Sequence, residues 1–375
     1  MTDEKNKNLF MQESFELAIK ALGMTSPNPL VGSVVIKNGE VIGRGYHRRA
    51  GEDHGEKAAI KNALDNGHNV EGADLYCNLE PCCHLNKKTP PCAQFIIEKK
   101  IGRVFISNLD PNPQVSGKGV EMLKEAGIDV EFGIMKSQGE ELNKIFFHNM
   151  TQKRPYIHIK VAQTLDGKIS TVSGDSKWIS DEHARKEVHR MRLMYDAVAV
   201  GSHTLMNDNP SLTIRHGIEA QNKVPYRIVF GHPTRMDFKK NLFNDENKDK
   251  TIVVYSDEKE AFDESTRPET TFIKAPLRKD GLYPYEIDLK QALEQLYKFG
   301  ICSILVEGGS KLVSTFIDQN LYDELSVYIA PKIIGNGQGF YANSMNLSMD
   351  KAISFDEMRP RILGNQVVYE YKKGK

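Results

Sequence analysis

Apolar and polar positions along this chain follow two periods in turn, one near about 3.6 residues and one of about 2, and elements can be read where one replaces the other. Residues 10–22 carry apolar side chains at Phe15, Ala18, Ile19 and Leu22, the spacing of an amphipathic helix. Ser26-Pro27-Asn28-Pro29 forces a turn, and 30–36 reads as a strand. Asn38-Gly39 tolerates the positive φ of a two-residue hairpin and returns the chain through 41–46. Residues 56–65 read as a helix, so His54 and Glu56 fall at its first turn. Strands at 73–79, 103–109 and 129–133 then alternate with helices at 91–100, 119–126 and 138–150. That alternation predicts a sheet covered by helices.

A polar stretch at 151–155 closes this unit, which sets the expected domains at 1–150 and 151–375. The second unit reads as strands at 156–162, 197–201, 226–230, 251–256, 302–307, 325–330 and 367–371, with helices at 181–194, 287–299 and 311–318. Residues 237–250 are charged and read as an exposed loop. At 375 residues, two domains of ordinary size are expected.

Three segments of the first unit carry chemistry: His54-Gly55-Glu56, Leu79-Glu80-Pro81-Cys82-Cys83-His84 and Thr89-Pro90-Pro91-Cys92. His54, Cys82 and Cys92 can bind Zn²⁺ through one nitrogen and two thiolates, leaving the fourth tetrahedral position for water. Glu56, two residues from a ligand, can then move protons, as the non-ligating Glu of zinc nucleobase deaminases does. Cys83 competes with Cys82 for the ligand position, and a closed structural site using His54 or His84 with three cysteines stands as the alternative. The usual signature ends in C-x-x-C, whereas nine residues separate Cys82 from Cys92 here. In the second unit, Glu307-Gly308-Gly309-Ser310 after an apolar strand and before a helix has the form of a phosphate cradle, although glycine pairs at strand ends also serve simply as turns. Lys160, Arg192 and Arg215 are candidate acid or phosphate partners, with surface ion pairing as the plain alternative.

Composition narrows the partners. Lys+Arg and Asp+Glu are both 50, and residues 1–148 hold 18 basic against 20 acidic side chains, so no basic face of the kind nucleic-acid binding needs is supplied in bulk. A polar amino terminus and the lack of any long apolar run argue against a leader or a membrane span. Five cysteines, an odd number with four between Cys77 and Cys92, suit a reducing cytoplasm and a metal better than disulfides.

Taken together, the motifs resemble the bifunctional riboflavin-biosynthesis deaminase/reductase family along nearly the whole chain. To the three segments above the first half adds Asn28-Pro29-Leu30-Val31-Gly32 and Asp110-Pro111-Asn112-Pro113. The second half adds Lys160, Leu165-Asp166-Gly167-Lys168, Ser176-Lys177-Trp178-Ile179, Arg192, Asp208-Asn209-Pro210-Ser211-Leu212-Thr213, Arg215 and Val306-Glu307-Gly308-Gly309. The chain departs from the family pattern at Gly55, where Ala is commoner, at Cys83, where Ser is usual, and by one residue inserted between His84 and Thr89.

The resemblance implies an α/β protein with a cytidine-deaminase-like three-layer domain followed by a dihydrofolate-reductase-like domain. It implies hydrolysis of an exocyclic amine of diaminohydroxyphosphoribosylaminopyrimidine, then NADPH-dependent reduction of the product's ribosyl group to ribityl. Asn28, His47 and His84 would line the pyrimidine and phosphate site, with a surface histidine as the plain alternative for His47. Ala162, Trp178, Thr204, Asp208, Gly309 and Ser310 would contact NADPH. Ser176, Arg192, Leu212, Arg215 and Glu307 would contact the second substrate, the arginines as phosphate forks, and Lys160 and Asp208 would assist the hydride step. Partners would be small pyrimidine ribosyl phosphates, with no nucleic acid and no membrane, and homo-oligomerisation is left open. Two other readings remain at this point: a nucleoside or tRNA deaminase joined to an unrelated reductase, and a zinc-stapled module that senses a dinucleotide without turnover.

Overall fold

In a computed structural model of the chain, residues 3–83, 91–113, 115–176, 179–279, 281, 286–342, 348–355 and 357–373 are described. They fall into two units, Met1–Lys153 and Arg154–Lys375. The first runs α1 (Asp3–Ile19), β1 (Gly32–Lys37), β2 (Glu40–Tyr46), α2 (Gly55–Asp65), β3 (Asp74–Leu79), α3 (Cys92–Glu98), β4 (Arg103–Asn108), α4 (Lys118–Glu125), β5 (Asp129–Phe132), α5 (Lys136–Leu142) and α6 (Lys144–Gln152). Its sheet has the order β2-β1-β3-β4-β5. β1 is antiparallel to both neighbours, and β3, β4 and β5 are mutually parallel.

Successive strand residues point to opposite faces, and that alternation sorts two cores. Val35, Leu75, Cys77, Val104 and Ile106 pack on Ala59, Ile60, Ala93, Ile96 and Leu123 of α2, α3 and α4. Val34, Ile36, Tyr76 and Phe105 pack on Met11, Phe15 and Leu17 of α1. The result is a sheet between helical layers. The β1–β2 turn is made as its residues predict, with φ of 53° at Asn38 and 82° at Gly39.

The helix expected at 138–150 is instead two. Asn143, buried at 3% exposure, accepts from Leu30 N–H at 2.8 Å and donates to Leu30 C=O at 3.0 Å. Spending both ends of its amide on a distant strand lead-in takes Asn143 out of helical geometry, to φ −106° and ψ 23°. Asn78 grips the same segment, donating to Leu30 C=O at 2.8 Å and accepting from Gly32 N–H at 2.7 Å. The backbone that follows Asn28 is therefore pinned from two sides.

The second unit runs β6 (Tyr156–Thr164), β7 (Ser170–Thr171), α7 (Glu182–Met194), β8 (Ala197–Gly201), α8 (Ser202–Asp208), β9 (Tyr226–Phe230), β10 (Thr251–Tyr255), β11 (Thr271–Lys274), α9 (Leu289–Phe299), β12 (Ser303–Gly308), α10 (Ser310–Asp318), β13 (Glu324–Ala330), β14 (Gly337–Gln338), β15 (Met358–Leu363) and β16 (Gln366–Lys372). Nine strands form one sheet in the order β11-β10-β9-β8-β12-β6-β13-β16-β15, parallel from β11 to β13 and antiparallel beyond. One face is covered by α9 and α10 through Leu289, Leu293, Leu296, Val313 and Phe316. Leu205 of α8 and a cluster including Leu242 and Phe243 cover part of the other.

Three elements escape a reading by pattern for physical reasons. α8 buries only Leu205, and β15 is an exposed edge strand, so neither shows a clean apolar period. β11 is four residues long. The segment expected as an exposed loop at 237–250 is a correction: Leu242 and Phe243 are buried, and the loop wraps Arg227, which has no exposed surface. Arg227 donates to Asp245 at 2.5 Å, to the carbonyls of Leu242 at 2.9 Å and Asn247 at 2.6 Å, and to Thr251 Oγ1 at 2.9 Å. Charge in a sequence marks a loop as wet only when its partner is not inside.

Removing that guanidinium leaves a carboxylate and buried carbonyls without a donor. Arg227→Met is expected to cost about 3–5 kcal/mol of stability, read as a lowered denaturation midpoint for the second unit while the first unit's transition is unmoved.

Candidate active sites

His54 is the residue before the first turn of α2, with extended backbone at φ −72° and ψ 165°, and its side chain makes no capping bond. The imidazole turns inward. Its Nδ1 lies 3.6 Å from Cys82 Sγ and 3.5 Å from Cys92 Sγ, and the three ligand atoms are all within 4.8 Å of one another. Tetrahedral zinc bonded to nitrogen and sulfur at ordinary lengths holds those atoms roughly 3.5 Å apart, so the spacing fits the ion. Cys83 is not part of the group. Cys82 follows the end of β3 and Cys92 opens α3, whose Cys92 N–H points at Cys82 Sγ at 3.4 Å. A hydrogen bond with the Cys92 thiol, together with His54 alongside, holds Cys82 well below the ordinary thiol range, while Cys92 is pushed up.

Glu56 sits on the first turn of α2 at 2% exposure. Burial pushes its carboxyl up to about 7, against the pull of His54. Its Oε2 has no hydrogen-bond partner among the described residues. A buried oxygen left unpaired is costly and points to a polar group that is met during function. Gly55 between them has a local reason: a Cβ there would lie 2.8 Å from Val31 O, closer than the backbone can yield.

His47 is 1% exposed rather than a surface histidine. Its Nδ1 faces Asp53 C=O at 3.1 Å, which assigns the proton there, so Nε2 accepts from Asn28 Nδ2 at 3.1 Å. The ring stands edge-on to His54 with centroids 5.0 Å apart. Asn28, His47 and His54 therefore form one continuous wall, and His84 lies outside the described residues.

In the second unit two adjoining cavities of about 510 and about 220 Å³ lie at the carboxyl ends of β6, β8 and β12, where open parallel sheets bind ligands. Thr204, Asp208, Gly309 and Ser310 line the larger. Lys160, Ala162 and Glu307 line the smaller, and Ser176, Thr204, Gly309 and Ser310 belong to both. Gly309 precedes the first residue of α10, so the positive end of that helix opens on the cleft. Trp178 lies outside the described residues.

Glu307 and Arg192 meet as a bidentate pair at 2.6 and 2.7 Å, and Arg192 also donates to Thr213 C=O at 2.7 Å. Burial works to raise Glu307, yet Arg192 and then Lys160 hold it below the ordinary carboxylate range. Lys160 is itself lowered, chiefly by burial, with Glu307 opposing; its Nζ lies 5.3 Å from the Tyr328 ring centroid. The guanidinium fork expected for a phosphate is thus closed on Glu307. Leu212 is 2% exposed in an apolar cluster with Val198 and Val200 of β8, with φ 51°, and lines neither cavity. Arg215 is exposed, its N–H donating to His189 Nδ1 at 2.9 Å. Burial first, and Arg192 next, push His189 down to about 4, which keeps that nitrogen an acceptor.

Residues 4–108 match the model of the cytidine and deoxycytidylate deaminase zinc-binding region, and residues 155–368 match the RibD C-terminal domain. The riboflavin biosynthesis protein RibD of Aquifex aeolicus is 38% identical over 376 residues, covering 100% of both chains. The chain belongs to the RibD family. The family's Escherichia coli protein is 37% identical over 87% of this chain and 88% of its own. Among solved structures, RibD of Acinetobacter baumannii superposes with a TM-score of 0.87 at 31% identity over 100% of both chains. A Thermotoga maritima protein described as a diaminohydroxyphosphoribosylaminopyrimidine deaminase/5-amino-6-(5-phosphoribosylamino)uracil reductase gives 0.86 at 35% identity over 99% of each. The first unit is accordingly cytidine-deaminase-like and the second has the RibD reductase fold.

Within this RibD-family framework the sequence pattern left several lining residues unnoticed. Arg235 and Lys311 line the larger cavity, and Gln338 does so while donating to Ser310 Oγ. The signal available was positional: Gly231-His232-Pro233 breaks the chain just after β9, at the same carboxyl edge of the sheet.

The grouping of His54 with Cys82 rather than Cys83 has a measurable outcome. Cys82→Ser is expected to lose most bound zinc in metal analysis of purified protein, whereas Cys83→Ser keeps about one equivalent per chain.

Proposed function

We propose that the chain is a bifunctional enzyme in which the first unit deaminates diaminohydroxyphosphoribosylaminopyrimidine and the second reduces the ribosyl side chain of the resulting aminouracil phosphate to ribityl with NADPH. The observation that carries the first half is the unpaired Oε2 of Glu56, buried beside a nitrogen and two sulfurs spaced for zinc. Zinc held by His54, Cys82 and Cys92 supplies a water made acidic enough to act as hydroxide at neutral pH.

Around that water, the chain's own groups do the rest. Glu56 takes one proton from the attacking water and gives it to the ring nitrogen, then takes the second from the hydroxyl now on the carbon and gives it to the exocyclic nitrogen, so that the C–N bond breaks, ammonia leaves and the carbon keeps the water oxygen as a carbonyl. A carboxyl pushed up to about 7 is suited to both halves of that exchange. Asn28 and His47, fixed to each other, orient the pyrimidine, and His84, expected to act with them, lies outside the described residues.

In the second unit NADPH supplies the hydride. Thr204, Asp208, Gly309 and Ser310 would hold it along the larger cavity, with Ala162 on the smaller, and Trp178, expected to contact it too, lies outside the described residues. Glu307, kept ionised by Arg192, hydrogen-bonds substrate hydroxyls, while Lys160 presents a buried cation to the reacting end. Arg192 acts here by fixing Glu307 and the Thr213 carbonyl, with Ser176, Arg215 and the Leu212 backbone nearer the substrate's phosphate end. The cleft's size supports a dinucleotide with a small substrate. Five cysteines, an odd number, suit a reducing cytoplasmic setting. Among the described residues no helix is long and apolar enough to cross a membrane.

Incubation of the zinc-loaded protein with the pyrimidine phosphate is expected to release ammonia and then oxidise NADPH; loaded protein that does neither overturns the reading. Glu56→Gln should keep its zinc and lose roughly 10²–10⁴-fold in ammonia release, with NADPH oxidation on preformed aminouracil phosphate intact. Glu307→Gln should do the reverse, losing at least roughly tenfold in NADPH oxidation and none of the ammonia release.

A further inference from the structure

We propose that Glu80 is a positioning residue for deamination: its carboxylate locks the Pro81-Cys82 end of β3 to the start of α4 and so sets where the Cys82 sulfur sits. The inference rests on the zinc reading of His54, Cys82 and Cys92 given above.

Glu80 is 3% exposed, and its two oxygens accept four backbone N–H groups from one distant stretch. Oε2 takes Asp110 and Gly117, both at 3.0 Å, and Oε1 takes Gly119 at 2.9 Å and Val120 at 3.2 Å. Gly119 and Val120 belong to the first turn of α4, whose N–H groups have no partner within the helix. Its N-cap residue, Gly117, makes no side-chain cap. A carboxylate from another strand does so instead, and four donors match the acceptor capacity of two oxygens.

The junction is tight from both sides. A Cβ on Gly119 would lie 2.3 Å from Pro81 O and 3.1 Å from Glu80 Oε1, so α4 can approach only because that residue has no side chain. Glu80 N–H also donates to Asn108 C=O at 2.9 Å, which extends the β3–β4 ladder to the last residue before Pro81. Pro81 has a fixed φ, and Cys82 C=O then accepts from Ala93 N–H at 3.1 Å. Cys82 is thereby held between α4, through Glu80, and α3, through Ala93 and Cys92. The spacing of His54 Nδ1 to the two sulfurs depends on that hold.

A residue that merely capped α4 would alter stability and nothing at the metal. The test therefore uses the full-length protein, zinc competition against a chelator, and the visible spectrum of the cobalt-substituted form, with ammonia release and NADPH oxidation measured on the same samples. Glu80→Gln keeps the shape but turns an NH₂ toward N–H donors. It is expected to retain zinc at least roughly tenfold less tightly, to shift the cobalt–thiolate bands, and to lower kcat for deamination with little change in KM and none in NADPH oxidation. Gly119→Ala, which touches no ligand, should move the same readouts in the same direction, and it decides the matter should Glu80→Gln yield no folded protein. Unchanged zinc competition and an unchanged cobalt spectrum in the folded variants, even with a lowered melting temperature, overturn the proposal. Wild-type protein that takes up neither metal removes the zinc reading itself, and with it this inference, a result separable from the first because the wild type alone shows it.

Discussion

A carboxylate oxygen inside a protein with nothing to bond is expensive, and in the first unit Glu56 Oε2 has no hydrogen-bond partner among the described residues. The rest of that unit can be understood as what is needed to hold this group beside three ligand atoms. Glu56 and His54 enter from the start of α2, Cys82 from the end of β3 and Cys92 from the start of α3. Each therefore lies at a junction between strand and helix, where backbone geometry changes and neighbouring side chains can be aimed separately. The two apolar cores on either side of the sheet fix the junctions relative to one another. Polar ties then finish the alignment: Asn78 and Asn143 on Leu30, and Glu80 on the 110–120 segment.

The second unit solves a different problem by the same means. A dinucleotide needs a long groove with donors at one end, and parallel strands deliver their loops to one edge. β6, β8 and β12 end at the cavities, and α10 begins there, so its unpaired N–H groups face the cleft. Within the cleft the decisive arrangement is Arg192 on Glu307. Two cations around one buried carboxylate keep it charged despite burial, the state that accepts hydrogen bonds from hydroxyl groups. The arginine contributes there by holding a neighbour in place.

Much of the site was legible because its spacing is local. His54 and Glu56 are two residues apart, Pro81-Cys82 and Pro91-Cys92 carry their own turn chemistry, and Gly308-Gly309 stands where an apolar strand meets a helical period. Where reading failed, a contact between distant residues was responsible. Asn143 breaks a helix whose pattern is continuous because it bonds Leu30, and the charged 237–250 stretch is drawn inward because Arg227 is its partner.

The sequence by itself determined which chemistry this protein carries: residue types, their order, and the periods that place them at the ends of strands and the starts of helices. Tertiary structure alone decided that Arg192 is spent on Glu307 and that Glu80 reaches across to α4. The physical reason is range. Periodicity and turn propensity act over a few residues, whereas a hydrogen bond or a metal site is set by atoms a few ångströms apart that can be more than a hundred residues apart in the chain, as Leu30 and Asn143 are.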